Sequence, residues 1–335
     1  LLISRDSIEG VGVYGITASV NNPVSHDKDL KEYPEWIKFA EINKKTKVLK
    51  ISKIMKDYDL IHAYQATPVH AMFSGRPYIA AVGGDEMRIR AFERSPTGIM
   101  LRRSYKKANR LVYSWPILKP YVKRLGLENA EYVPRIWDVS MFEKRGFAKE
   151  NAETLTFFLP TAEVWSLKGN EKFLGAFARL CKEGRKVFLY YVDWGGDSAK
   201  AKKILSHNDV KGSVEVIPGP VSRERMAEYM EKSDIVVDQF NSGSFTRVGI
   251  EAFLFGIPLL INLDEEVHRE VHGESPRVIN GKTEDEIYDK IICQLENRHE
   301  LAEIAEYTKR WAMQNFDVEK NVKRYVEMYE GLLRK

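Results

Sequence analysis

In the run SGSFTRVGIEAFLFGIPLLINL, residues 242 to 263, Glu251 is the sole acidic residue among small and apolar neighbours. An ionised carboxylate only accepts hydrogen bonds. The small, polar residues 241–246 read as a loop, and Arg247 to Phe255 read as a helix stopped by Gly256 and followed by Pro258. The start of a helix offers free backbone N–H groups and partial positive charge, which suit a phosphate. Glu251 lies one turn further in, about 6 Å along the axis at roughly 1.5 Å per residue. It would repel a phosphate but could accept from two ribose hydroxyls. One element would then grip both phosphate and ribose of a nucleotide. An Arg247–Glu251 i,i+4 ion pair on a solvated face fits the same spacing. The pattern alone leaves both open.

Other chemistry-bearing residues are scattered. Lys168-Gly169 follow the apolar run TLTFFL. Gly83-Gly84-Asp85 end the run RPYIAAVGGDE; Asp85 is a candidate proton acceptor, or a cap for the next helix. His62 and His70 flank AYQATPV, and His62 is either structural or a lining residue. Arg102, Arg103, Lys106, Lys107 and Arg110 fall in GIMLRRSYKKANRLVYS, which reads as one basic helical stretch. They form a solvated face or a contact for an anionic surface.

The elements that must position these residues alternate between strand and helix patterns, so the fold class is α/β with parallel sheets. Strands are read at DYDLIHAY, RPYIAAV, TLTFFLPTAE, KVFLYYVDWGG, SVEVIPGPV, Asp234 to Phe240 and PLLINL. Amphipathic helices include NEKFLGAFARLCKEG, RERMAEYMEKS and the C-terminal DVEKNVKRYVEMYEGLLRK. In open parallel sheets ligands bind at the carboxyl ends of strands. That singles out the loops 62–68, 83–88, 161–168, 194–197, 218–221 and 239–247. The polar stretch EKRGFAKENAE, 143 to 153, is the expected boundary. The expected domains are 1–148 and 149–316, followed by a final helix at 317–335.

Composition narrows the function classes. Net charge is only +4, which does not suggest a nucleic-acid coat. Cys181 and Cys293 are the only cysteines, without metal-ligand or CxxC spacing, so a reducing, cytoplasmic compartment is expected. No apolar run is long enough to span a bilayer and no signal peptide is visible. The chain starts at Leu1 without Met, which leaves its true start open.

SFTRVGIEAFLFGIPLL resembles the second half of the signature of retaining GT-B glycosyltransferases of the family-4 type, through Glu251-Ala252, Gly256 and Pro258. The resemblance covers roughly 55–330 and is closest over 155–263. It implies two Rossmann-like domains whose parallel sheets face each other across a cleft, the first taking an acceptor and the second a nucleotide-sugar, with the helix 317–335 returning to the first. It places donor ribose on Glu251 and donor pyrophosphate on Lys168. The second cation is expected from Arg247, because Pro160-Thr161-Ala162 replace the family's Arg. Gly219, Pro220 and Val221 are expected beside the nucleobase. The family's first Glu falls on Gly243, and its glycine after Phe is Thr246. Backbone groups of Ser244, Phe245 and Thr246 are expected to take over, with Thr161 on the donor side. Gly83 replaces a His that contacts the reacting sugar in relatives. That leaves Asp85 as candidate base, with Gly83, Gly84, Arg88 and His62 on the acceptor side. Asp85 and Glu251 are thus the expected catalytic pair. No metal or other cofactor is implied. The expected reaction is retaining transfer of a sugar to a hydroxyl of a glycan or lipid-linked glycan, with peripheral contact to anionic membrane through 102–110. A nucleotide-sugar epimerase of the same fold and an inactive nucleotide-sugar-binding relative stay open.

Overall fold

In the computed structural model, residues 2–3, 13–17, 37–39, 47–142, 153–207 and 209–334 are described. The chain divides into two compact units, Leu1–Arg135 with Glu319–Lys335, and Ile136–Val318. Residues 143–152 of the expected boundary stretch lie outside the described residues, as do Gly10 and Gly12.

The first unit carries strands β1 (Leu2–Ile3), β2 (Val13–Thr17), β3 (Ile37–Phe39), β4 (Leu60–Tyr64), β5 (Tyr78–Val82), β6 (Arg110–Tyr113) and β7 (Ala130–Tyr132). Helices α1 (Lys47–Met55), α2 (Pro68–Ser74), α3 (Asp85–Arg88), α4 (Pro96–Lys107) and α5 (Lys119–Arg124) connect them. The sheet order is β3-β2-β1-β4-β5-β6-β7. It is parallel apart from β1, which pairs antiparallel with both β2 and β4. Every residue of β5 is buried, as expected of a parallel strand covered on both faces. One face packs Ala80, Val82, Leu101, Tyr105 and Leu111. On the other, Ile79, Val112 and Val133 meet Met328 of the final helix, Val318–Leu333. Arg324 of that helix also donates to Glu131 Oε1 and the Tyr132 carbonyl.

The basic stretch does not form one helix. α4 ends at Lys107, and Arg110 opens β6. Leu111 to Tyr113 are β-branched or bulky and fully buried, so tertiary burial overrides the helical reading. Arg102 donates to the carbonyls of Ala91 and Glu93, while Arg103, Lys106 and Lys107 are exposed.

The second unit has a parallel sheet of β8 (Leu155–Leu159), β9 (Val187–Asp193), β10 (Val214–Pro218), β11 (Ile235–Val237), β12 (Leu259–Ile261) and β13 (Ile279–Asn280). Their order is β10-β9-β8-β11-β12-β13. The chain winds outward from β8 to β10, then returns to the other side of β8 at β11. The switch point between β8 and β11 is where a doubly wound sheet opens a crevice at its carboxyl edge. Helices α6 (Trp165–Lys168), α7 (Asn170–Lys182), α8 (Ser198–Leu205), α9 (Arg223–Lys232), α10 (Arg247–Phe255), α11 (Glu265–His272), α12 (Glu284–Glu296) and α13 (Arg298–Phe316) complete the unit, and the final helix is α14. α7 buries Phe173, Leu174, Phe177 and Leu180, spaced three and four apart, on Phe157, Leu189 and Ile235.

Candidate functional site

The switch point gathers the loops that follow β8 and β11. Thr161 is buried, donates to the Asp238 carbonyl at 3.1 Å and accepts from Asn170. Lys168 reaches the same place, with Nζ 3.1 Å from Gln239 Oε1. Its carbonyl accepts from the Phe240 amide at 2.6 Å. The next residue, Gly169, has φ +71°, and a Cβ there would come within 2.7 Å of Asn241 Oδ1. Glycine is therefore required where α6 turns into α7 against the β11 loop.

α10 begins and ends where the sequence reading placed it, but β11 is shorter than Asp234–Phe240. It stops at Val237 because Asp238 turns to serve the helix. Its Oδ2 accepts from the Thr246 amide at 2.6 Å and its Oδ1 from Thr246 Oγ1 at 2.8 Å. The Gly249 amide also lies toward this carboxylate, and the Val248 amide donates to Thr246 Oγ1. The Thr246 and Val248 amides at the helix tip are thus already engaged from inside the protein. Burial raises the Asp238 carboxyl, against the pull of Lys168 and the Thr246 and Gly249 donors.

Glu251 is 17% exposed, with Oε1 3.7 Å from Arg247 Nε. The i,i+4 pair exists, yet the carboxylate sits in a recess rather than on a solvated face. Burial raises its carboxyl, opposed by Arg247 and Arg223. Arg247 is half-exposed and lies 5.6 Å above the Trp137 ring. Ser244 is buried, accepts from Gln239 Nε2 through its carbonyl, and has Oγ 3.3 Å from His268 Nε2. The Phe245 ring is packed among Phe253, His268, Trp311 and Phe316, so only its main chain remains for a ligand. Gly243 has φ +71°. A Glu side chain in that left-handed backbone conformation would be strained.

Gly219, Pro220 and Val221 follow β10, two strands from the switch point, with the Gly219 amide bonded to the Asp193 carbonyl. In the first unit, Gly83, Gly84, Asp85 and Arg88 cluster after β5. Asp85 is the first residue of α3 and does not cap it; the N-cap is Gly84, and Glu86 Oε1 accepts from the Gly83 and Gly84 amides at 2.8 and 3.1 Å. Asp85 itself is exposed, and Arg88 Nε is buried without a hydrogen-bond partner among the described residues. His62 does not join that cluster. Its Nδ1 is 2.7 Å from Tyr329 Oη of α14, its ring packs by Tyr325, and burial pulls its pKa down to about 3.

Glu163 went unnoticed in the sequence. It is fully buried, accepts from Trp165 Nε1 at 2.7 Å and from Asn170 Nδ2 at 3.2 Å, and ties the β8 and β9 loops through its main chain. Burial pushes its carboxyl up to about 7. Asp238 was missed as well, since its role depends on a residue eight positions away. Among the described residues no group of three or more His, Cys, Asp or Glu side chains is arranged to hold a metal ion, and no helix is long and apolar enough to cross a membrane.

Chemically, the edge of this unit combines one recessed carboxylate, which suits hydroxyls, with Lys168 and Arg247, which suit anionic oxygens. Over 88% of this chain and 86% of the other, the fold matches Anabaena HepE, solved in complex with UDP-glucose, at TM-score 0.70 and 14% identity. It matches sucrose-phosphate synthase from Thermosynechococcus elongatus at TM-score 0.72 and 13% identity, covering 98% and 90% of the two chains. These likenesses show the GT-B fold. An uncharacterized glycosyltransferase of Methanocaldococcus jannaschii is 25% identical over 176 residues, 51% of this chain. The match takes in 44% of that relative's length. The family model for glycosyl transferases group 1 matches residues 142–311, just over half of the sequence, and includes every residue at the switch point. The chain belongs to the glycosyl transferases group 1 family.

Proposed function

We propose that the protein transfers a sugar from a nucleotide-sugar to an acceptor hydroxyl on a glycan or lipid-linked glycan, with retention and without a bound metal. The observation that carries this reading is the recessed Glu251 carboxylate one turn into α10, beside two arginines and across the switch point from Lys168. Glu251 accepts from the ribose hydroxyls. Lys168 and Arg247 neutralise the diphosphate as the bond from sugar carbon to phosphate oxygen breaks. Because Asp238 fills the α10 tip, side-chain cations carry this load more than helix amides. The acceptor hydroxyl forms the new bond to the sugar carbon, and its proton passes to the leaving phosphate or to Asp85. Arg103, Lys106 and Lys107 give the first unit an exposed basic strip for an anionic membrane face.

The UDP-glucose bound by HepE makes UDP the first probe. Hydrogen bonds to a charged group contribute about 1.5–3 kcal/mol. Calorimetry should therefore show wild type preferring UDP to 2′-deoxy-UDP by about ten- to a hundredfold, and Glu251→Ala losing that preference. A preference kept by the variant removes Glu251 from the ribose. Release of UDP from a nucleotide-sugar should require acceptor; turnover of donor alone would point to an epimerase.

A further inference from the structure

The site as described has no aromatic side chain for the nucleobase. We propose that the indole of Trp194 is the platform on which the donor's base stacks, an inference that rests on the nucleotide-sugar reading above. Trp194 directly follows β9, so it stands at the carboxyl edge of the sheet between the loops after β8 and β10. It is 37% exposed, yet it is anchored: Nε1 donates to the Pro160 carbonyl at 2.9 Å. Its own carbonyl accepts from the Glu163 amide at 2.9 Å. A core tryptophan would be covered, and a loose surface tryptophan would turn freely. This ring is open and fixed, which is the condition for a stacking surface with little ordering cost.

The neighbouring turn is shaped to it. A Cβ on Gly219 would come within 3.2 Å of Trp194 Cβ and Cδ1, and within 2.5 Å of Val192 Cγ1. Glycine lets the 218–221 turn lie against the indole. That turn leads into α9, which packs on α10, the helix that carries Glu251. Arg223, the first residue of α9, acts on the Glu251 carboxylate, so in this proposal the base of a ribose held by Glu251 runs along this turn to Trp194. Other aromatic rings at this edge are committed. Trp165 gives its Nε1 to Glu163 and lies under Lys200, while Phe240 and Phe245 are buried.

Base–aromatic stacking is sequence-tolerant, because every base has a π face, and its removal costs about tenfold or more in affinity. The test is calorimetric titration of UDP into wild type, Trp194→Phe, Trp194→Leu and Trp194→Ala. Trp194→Phe should bind within about threefold of wild type, and the Leu and Ala variants about tenfold more weakly. Leucine fills the volume but cannot stack, so equal affinities of the Phe and Leu variants overturn the proposal. UDP should also quench a component of the tryptophan emission that Trp194→Phe lacks; the same quenching in both proteins overturns it too, whatever the folding of the smaller variants. Failure of the wild-type protein to bind UDP, ADP or GDP would instead overturn the nucleotide-sugar reading.

Discussion

Glu163 shows how a single buried acid couples the site to pH. Its carboxyl is raised from 4.5 to about 7 by burial, with Glu171 and Asp197 adding to the rise and the Trp165 and Asn170 donors opposing it. Between those two values the folded protein holds a proton that the unfolded chain has released. The stability contributed by Glu163 is therefore present at pH 4.5 and below and is lost as pH rises toward 7. Comparing melting temperatures of wild type and Glu163→Gln from pH 5 to 8 isolates this group. Wild type should lose ground steadily to the variant as pH rises, and a constant difference would show that Glu163 does not titrate there. Buried His62 and His268, both lowered to about 3, act in the opposite sense in each protein and cancel in the comparison. Glu251 and Lys168 could be singled out in the sequence because local motifs mark them. The partners of Glu163 and Asp238 were not readable there, and although the loop 194–197 was singled out, the exposure of the Trp194 indole was not readable either, because partners and exposure come from loops far apart in the chain.

α10 and β11 form the element on which the site is built, and their contact is tight. A Cβ on Gly249 would approach Phe245 Cβ to 2.7 Å, and Asp238 Oδ2 and Leu259 Cδ2 to 3.0 Å. Gly249→Ala should destabilise the protein by about 1–3 kcal/mol in denaturant unfolding. Gly331→Ala, in α14 with open space around it, should stabilise by a few tenths to about 1 kcal/mol. Similar unfolding midpoints for the two variants would refute the close packing. The helix itself was readable to the residue, because Thr246 caps it and Gly256 with Pro258 stops it. β6 was not readable, since its first residue continues a basic helix pattern and only burial separates the two. Strand order, and so the switch point, depends on pairing between distant segments that no local pattern encodes.

For the molecule as a whole, the exposed Arg103, Lys106 and Lys107 of α4 set the expected behaviour toward membranes. Sedimentation with vesicles should show binding only when anionic lipid is present, weakening with salt and falling when the three residues are changed to Gln. Binding to neutral vesicles, or none to anionic ones, would remove the membrane from the proposed function. The first unit also has a consequence for how the protein is made. Ile79, Val112 and Val133 find their cover in Met328, supplied from the far side of the entire second unit. At about 5–20 residues per second, a ribosome needs roughly ten to forty seconds to travel from Val133 to Met328. Throughout that interval a nascent sheet waits with an oily flank bare, while the later, uninterrupted segment can finish folding ahead of it.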